Sequence, residues 1–502
     1  PDDWFLTCHF VDDQVMPGTL MYECCLHTLR VYLLRMGWVG EEDEMAYEPV
    51  PGVVSKLKCR GQVIADTRKV QYEISLKEIG YKQSGTPYVI ADALMYADGR
   101  AIVQMSDMSL QLTGLDRDQL LEFWQKRTTS TEAETAGARQ ILFDYDSILA
   151  FATGKPSEAF GDRYQPFDSD RVIARLPGPP YQFLDRIVSI ENCEQWQLQA
   201  GGIIEAEYDV PVDAWYFAAD RQQTMPFSIL LEVALQPCGW LAAYLGSALV
   251  SDQDLSFRNL GGKAVQLLPV TADSGTLTTR VRITNVAHSG GMIIQNFDYE
   301  VRCNKGTVYK GDTYFGFFSK QALANQVGIR EAQLYRPGPA ELSSANTQDY
   351  PQQSPYPAGQ MRMIDTIEIF AADGGPHGLG YIKGVAMVKP EAWFFKAHFY
   401  QDPVWPGSLG LESFIQLLKF AACARWQPHN PEKTEFESMA LAQPHSWLYR
   451  GQIIPTDNKV TVEAMIKEVD DQNKLLKADG FLSVDGRIIY QMTDFTLRML
   501  EL

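Results

Sequence analysis

A chain of 502 residues, 45% hydrophobic and 21% charged, is a globular protein long enough for three or four domains. Its formal net charge of −19 argues against nucleic acid as a partner. The eight cysteines form no CxxC pair, and Cys24 and Cys25 are adjacent; this argues against a disulfide framework or a zinc site, and for buried free thiols in a reducing compartment. The opening Pro1-Asp2-Asp3-Trp4 has neither the basic nor the apolar region of a secretory signal, so a cytoplasmic location is expected.

The first element is a motif: Trp4-Phe5, His9-Phe10, Asp13, Pro17-Gly18 and Glu23, the last inside an apolar helix. Arg60-Gly61-Gln62, Asp98-Gly99-Arg100 and Gln104-Met105-Ser106-Asp107 follow in strand-like surroundings. Residues 1–127 are read as one unit that lacks its opening strands, and 128–170 as a linker. The start of that linker is small and polar. Its later part, with Phe143, Tyr145, Phe151, Phe160 and Tyr164, is aromatic enough to pack on a neighbour.

A degenerate unit is predicted at 171–320. It contains Phe183-Leu184-Asp185, Trp215, Asp220, Pro226-Phe227 and Leu231-Glu232. Its stretch 226–250 approaches the length of a membrane span, but Glu232, Gln236 and Pro237 interrupt it, so a helix swallowed by a sheet is expected and no span. A proline-rich linker is read at 321–355, and a last full unit at 356–502. That unit repeats the opening motif as Trp393-Phe394, His398-Phe399, Asp402, Pro406-Gly407 and Glu412. A helix is predicted at 407–424 with Ser408 as a candidate cap, an alternating strand at 459–466, and a hairpin at Asp485-Gly486.

The repeats share constant offsets at their anchors, with the middle copy two residues shorter between Trp215 and Pro226. First and last copies share one offset (398 − 9 = 389 and 412 − 23 = 389), and the middle and last share another (365 − 185 = 180 and 412 − 232 = 180). Counted from Trp215, the histidine position of the middle copy holds Asp220, and its glycine position holds Phe227. One long helix against an antiparallel sheet, three times over, is an α+β layer architecture.

These residue types suit proton transfer next to a carbonyl. Histidine is the side chain whose ordinary pKa suits a general base. A carboxyl in an apolar helix is pushed toward its protonated form and can serve as the acid. A glycine amide at a helix N-terminus offers a free donor to a developing oxyanion, as Gly407 and Gly18 would. A lone histidine beside phenylalanine is usually a core residue, but the same frame at the same spacing twice is not explained that way. His288, His377, His429 and His445 lack the frame and are read as structural or surface residues. His27 follows Glu23 by four residues, where the other copies have Gln236 and Gln416. No HExxH or comparable ligand set supports a metal hydrolase.

The frame His-Phe-x-x-Asp-x-Val-x-Pro-Gly, with an acid five residues after the glycine, resembles the β-hydroxydecanoyl-thioester dehydratase type of hotdog enzyme. The tandem arrangement with a degenerate copy between is similar to the dehydratase region of bacterial polyunsaturated fatty acid synthases. The resemblance implies tandem hotdog folds paired as double hotdogs, with histidine from one hotdog and acid from its partner. It implies a 3-hydroxyacyl substrate on the phosphopantetheine arm of an acyl carrier protein, a trans-2-enoyl thioester product, and no other cofactor or metal. Glu stands where the decanoyl-type enzyme has Asp, which leaves open the 2-trans/3-cis isomerisation that some members add.

On this pattern the middle and last units form one pair, and its working site joins His398 and Gly407 to Glu232. Glu412 would face Asp220 and Phe227 in a silent site. His9 and Gly18 would draw their acid from another hotdog unit, expected upstream of Pro1, with Glu23 on a vestigial face. Partners would be acyl carrier protein and other megasynthase domains; a homodimer is compatible. Two rival functions stand beside this one: a hotdog acyl thioesterase, which would release free acid, and a non-catalytic docking scaffold for carrier proteins.

Overall fold

A computed structural model describes residues 3–39, 45–124, 139–289, 291–332, 334–343 and 347–501. The polar part of the first expected linker, 128–138, lies outside the described residues. The chain divides into two compact units, Pro1–Arg139 and Gln140–Leu502.

In the first unit the helix Gly18–Arg35 lies on a five-stranded antiparallel sheet. Met21, Cys25, Leu26, Leu29 and Leu33 recur at helical spacing and form its buried stripe. They meet the inward residues of Pro87–Ala97 and Arg100–Thr113, among them Val89, Ala91, Met95, Met105 and Leu110. The two strands turn at Asp98 and Gly99, both with positive φ (47° and 81°), the geometry that asparagine, aspartate and glycine supply to tight hairpins.

The second unit holds two hotdogs on one 14-stranded sheet. The strands of the last repeat meet those of the middle repeat where Pro444–Tyr449 pairs antiparallel with Leu255–Gln266. Each half wraps one central helix, Phe227–Tyr244 or Gly407–Trp426. The expected pairing of middle and last repeats is therefore present as a continuous ladder. By length and composition Phe227–Tyr244 could cross a membrane, but 89% of that window is buried inside the protein. Pro237 does not break this helix. A proline leaves the carbonyl four residues back without its donor, and here the Thr279 hydroxyl donates to the Val233 carbonyl at 3.2 Å.

Parts of the two expected linkers are structured. Residues 141–170 form the helices Tyr145–Ala152, Pro156–Phe160 and Pro166–Ser169, because Ile148, Phe151, Phe160, Tyr164 and Phe167 bury themselves against the middle repeat. In 321–355 the short strand Gln348–Asp349 joins Thr366–Ala371, and the buried Tyr350 donates to the Gln416 carbonyl at 3.0 Å. Proline and polar residues mark a linker only where no aromatic anchors intervene. Gly407–Trp426 runs two residues past the expected end and stops at Gln427 in the left-handed region. Ser408 does not cap it; Pro406 holds the cap position and the serine hydroxyl is used elsewhere.

One ion pair welds the two repeats. Lys419 of the last helix donates to Asp220 of the middle repeat at 2.6 Å, with side chains 0% and 1% exposed. Removing one partner leaves a buried charge, whereas replacing both with apolar groups does not. Lys419→Met is therefore expected to cost about 3–5 kcal/mol of unfolding free energy, and Asp220→Leu/Lys419→Met to recover most of it, as read from denaturant curves. At the seam, a Cβ on Gly262 would lie 2.5 Å from the Trp447 ring and 2.6 Å from the Asp312 carbonyl oxygen. Gly262→Ala is expected to destabilise this unit by about 1–3 kcal/mol, seen as a lower melting temperature.

Candidate active site

His398 follows the short helix Trp393–Ala397, and Gly407 opens the long one. Between them the chain doubles back, and His398 Nδ1 sits 3.0 Å from the Val404 carbonyl oxygen. A carbonyl only accepts, so Nδ1 carries the proton and Nε2 keeps its lone pair. The loop is braced from the other repeat: Arg258 donates to Asp402 at 2.8 and 2.9 Å and to Gln452 at 2.9 Å. Burial, with Arg258 nearby, pushes the His398 imidazole down to about 3, so it stands neutral with the Nε2 lone pair free.

Glu232 comes from the central helix of the middle repeat and lines the same cleft as His398 and Gly407. The cleft encloses about 750 Å³, counting its open mouth. Ser408 Oγ donates to Glu232 Oε1 at 2.6 Å and Gln236 Nε2 to Oε2 at 2.9 Å. Gln236 is itself fixed, accepting from the Phe183 amide and donating to the Tyr181 carbonyl. Burial raises the Glu232 carboxyl above the usual range, opposed by the Ser408 and Gln236 hydrogen bonds. The first-turn amide of Gly407 has no partner within its helix, and a Cβ there would crowd Tyr449 at 3.0 Å. A neutral imidazole, a carboxyl biased upward by burial and a helix N-terminal amide thus surround one space.

The opposite half repeats the frame without the space. Glu412 Oε2 accepts from the Ser228 amide at 3.1 Å, and burial raises its carboxyl, helped by the negative Asp220 and opposed by Lys419. Asp220 stands at the histidine position and is held by Lys419. The Phe227 ring, at the glycine position, is buried edge-on to His445. Asp220 acts on the Glu412 carboxyl, as two facing carboxylates would, and Lys419 of the acid's own helix offsets it.

In the first unit His9 Nδ1 donates to the Val15 carbonyl at 2.9 Å, the counterpart of the His398 contact, and both His–Phe peptides are cis. Gly18 opens the helix there. Glu23 is engaged by Arg30 at 2.6 Å and by His27 at 3.2 Å. Among the described residues no three His, Cys, Asp or Glu side chains are grouped as metal ligands would be.

Ser408, Arg258 and Lys419 carried no signal as site residues in the sequence, because their partners lie 176, 144 and 199 positions away. Gln236 was findable: Gln416 occupies the same place, four residues after the acid, and bonds the Met363 amide and Met361 carbonyl in the same way.

Known proteins resemble this chain along most of its length. A polyunsaturated fatty acid synthase polypeptide of Thraustochytrium sp. is 26% identical over 639 aligned positions, covering 99% of this chain. The chain spans 42% of that relative's length. The dehydratase domain from the CurJ module of a curacin polyketide synthase superposes with a TM-score of 0.34 at 14% identity, over 63% of this chain and 96% of its own. A trans-AT polyketide synthase dehydratase domain of Brevibacillus brevis gives 0.33 at 12%, over 64% and 98%. Residues 1–106, 176–312 and 356–493 each match the FabA-like domain, and the chain belongs to that family three times over.

Proposed function

We propose that this protein dehydrates 3-hydroxyacyl thioesters carried on the phosphopantetheine of an acyl carrier protein, and that residues 140–502 hold one working site. The observation that carries the reading is that His398, Gly407 and Glu232 line one cleft, while Glu412 is turned to the Ser228 amide. In the reaction His398 Nε2 takes the proton from the carbon next to the thioester carbonyl. The Gly407 amide, backed by the helix dipole, steadies the negative charge that grows on the thioester oxygen. Glu232 gives its proton to the departing hydroxyl, which leaves as water, and the electron pair of the broken C–H bond becomes the new double bond. Return of the proton from His398 to Glu232 resets the pair. The Thraustochytrium relative, part of a polyunsaturated fatty acid synthase, supports a setting among other synthase domains. His9 and Gly18 repeat the base and the amide, so the first unit serves the same chemistry with a carboxylate from another hotdog, since Glu23 is committed to Arg30.

The test is dehydration by the 502-residue chain carrying His9→Ala, which removes the first unit's contribution. Glu232→Gln is expected to lose on the order of 10²–10⁴ in rate while Glu412→Gln stays near the parent; the reverse ranking refutes the assignment. An enoyl thioester product separates this activity from thioester hydrolysis, which yields free acid. The pH profile follows from the two shifts. His398 is lowered from 6.5, so the base survives as pH falls, and the acid limb of kcat/KM lies well below 6.5. Glu232 is raised, so the alkaline limb marks loss of its proton and lies above the ordinary carboxylate value. An acid limb at 6.5 would contradict a buried neutral His398.

A further inference from the structure

We infer that the residue seven positions after each helix carboxylate decides whether the space beside that carboxylate admits a thioester, and that Gly239 is the residue that opens it. The inference rests on reading the cleft as a thioester site. The three positions are Gly239 (232 + 7), Lys419 (412 + 7) and Arg30 (23 + 7). Seven residues are about two helical turns, so each lies on the same face as its carboxylate.

Gly239 lines the cleft together with Glu232 and His398. It also borders a second recess, formed by Phe151, Ala243 and Phe317 among others, and the two spaces meet at Gly239, Arg175 and Phe257. A Cβ at 239 would lie 3.1 Å from Leu176 Cδ2 and 3.4 Å from Phe257 Cε1, so any larger side chain narrows that junction. Across the pseudo-twofold, Lys419 starts from the equivalent point of its helix and reaches Asp220, the residue at the base position, at 2.6 Å. Its side chain therefore crosses the space that corresponds to the one between Gly239 and His398. Phe227 and Asp220 remove the amide site and the base, but Lys419 is the group that fills the passage. In the first unit the same position, Arg30, donates directly to Glu23 at 2.6 Å.

One arm of the thioester passes Gly239. The experiment uses the full chain with His9→Ala and a series of 3-hydroxyacyl N-acetylcysteamine and pantetheine thioesters of increasing acyl length. Binding of an unreactive amide analogue is followed in parallel by calorimetry. Gly239→Leu is expected to lose on the order of 10² in kcat/KM and to lose analogue binding, with its circular dichroism unchanged. Gly239→Ala, whose methyl meets the movable end of Leu176, loses less in the same direction and carries the test if the leucine variant does not fold. A loss that grows with acyl length identifies the acyl arm at Gly239; an equal loss at every length identifies the pantetheine arm. Asp220→Leu/Lys419→Met should leave kcat/KM within about twofold of the parent, since it alters only the filled half. The inference is overturned if Gly239→Leu binds the analogue as the parent does, or if the double variant stays folded and loses turnover. If the parent binds the analogue but performs no dehydration, the proposed reaction fails while the passage at Gly239 stands on the binding data alone.

Discussion

Two buried carboxylates on facing helices each accept a hydrogen bond from the opposite repeat, and that exchange ties the second unit together. Ser408 of the last helix donates to Glu232 of the middle one, and the Ser228 amide of the middle helix donates to Glu412 of the last. A carboxyl taken from water into an apolar helix pair is costly unless such donors meet it. The exchange therefore fixes how the two helices face each other. The shared sheet, the cleft and the alignment of His398 with Glu232 all follow from that one juxtaposition, and neither repeat contains the cleft alone.

The same frame is filled differently on its two sides. One side keeps a glycine at the helix start, a histidine above it and a second glycine two turns beyond the acid. The other replaces them with Phe227, Asp220 and Lys419. An open cleft forfeits the contacts that close packing would supply. The filled half restores packing and adds a buried ion pair whose partners come from different repeats, so it also fixes their register. Such a pair is a poor source of net stability against apolar substitutes, but breaking it on one side alone leaves an uncompensated charge. Loss of the base in one half is thus matched by a lysine that makes the lost site solid.

Burial also sets the proton inventory before any substrate arrives. The His398 imidazole is neutral, with its proton on Nδ1 and its lone pair on Nε2. The Glu232 carboxyl is biased toward its protonated form. Burial drives the imidazole toward its proton-accepting form and the carboxyl toward its proton-donating form, so it separates the roles of two titratable groups in one cleft. Arg258 adds to this through its pair with Asp402, bracing the histidine loop while its positive charge disfavours a charged imidazole.

The sequence by itself determined the triplication, the α+β class with a central helix in each repeat, and the hairpin at Asp485-Gly486. All of these are local patterns or register arguments. Helical periodicity, turn chemistry and a constant offset survive in one dimension because they depend on residues close in the chain or on a copy of the same text. Only the tertiary structure decided that Ser408 serves Glu232 instead of capping its own helix, that Lys419 holds Asp220, and that Arg30 holds Glu23. Most of these rest on contacts across many residues. Lys419 gave no sign of its partner because a lysine in an amphipathic helix reads as a solvated residue, and only the approach of Asp220 from the other repeat makes it a buried ion.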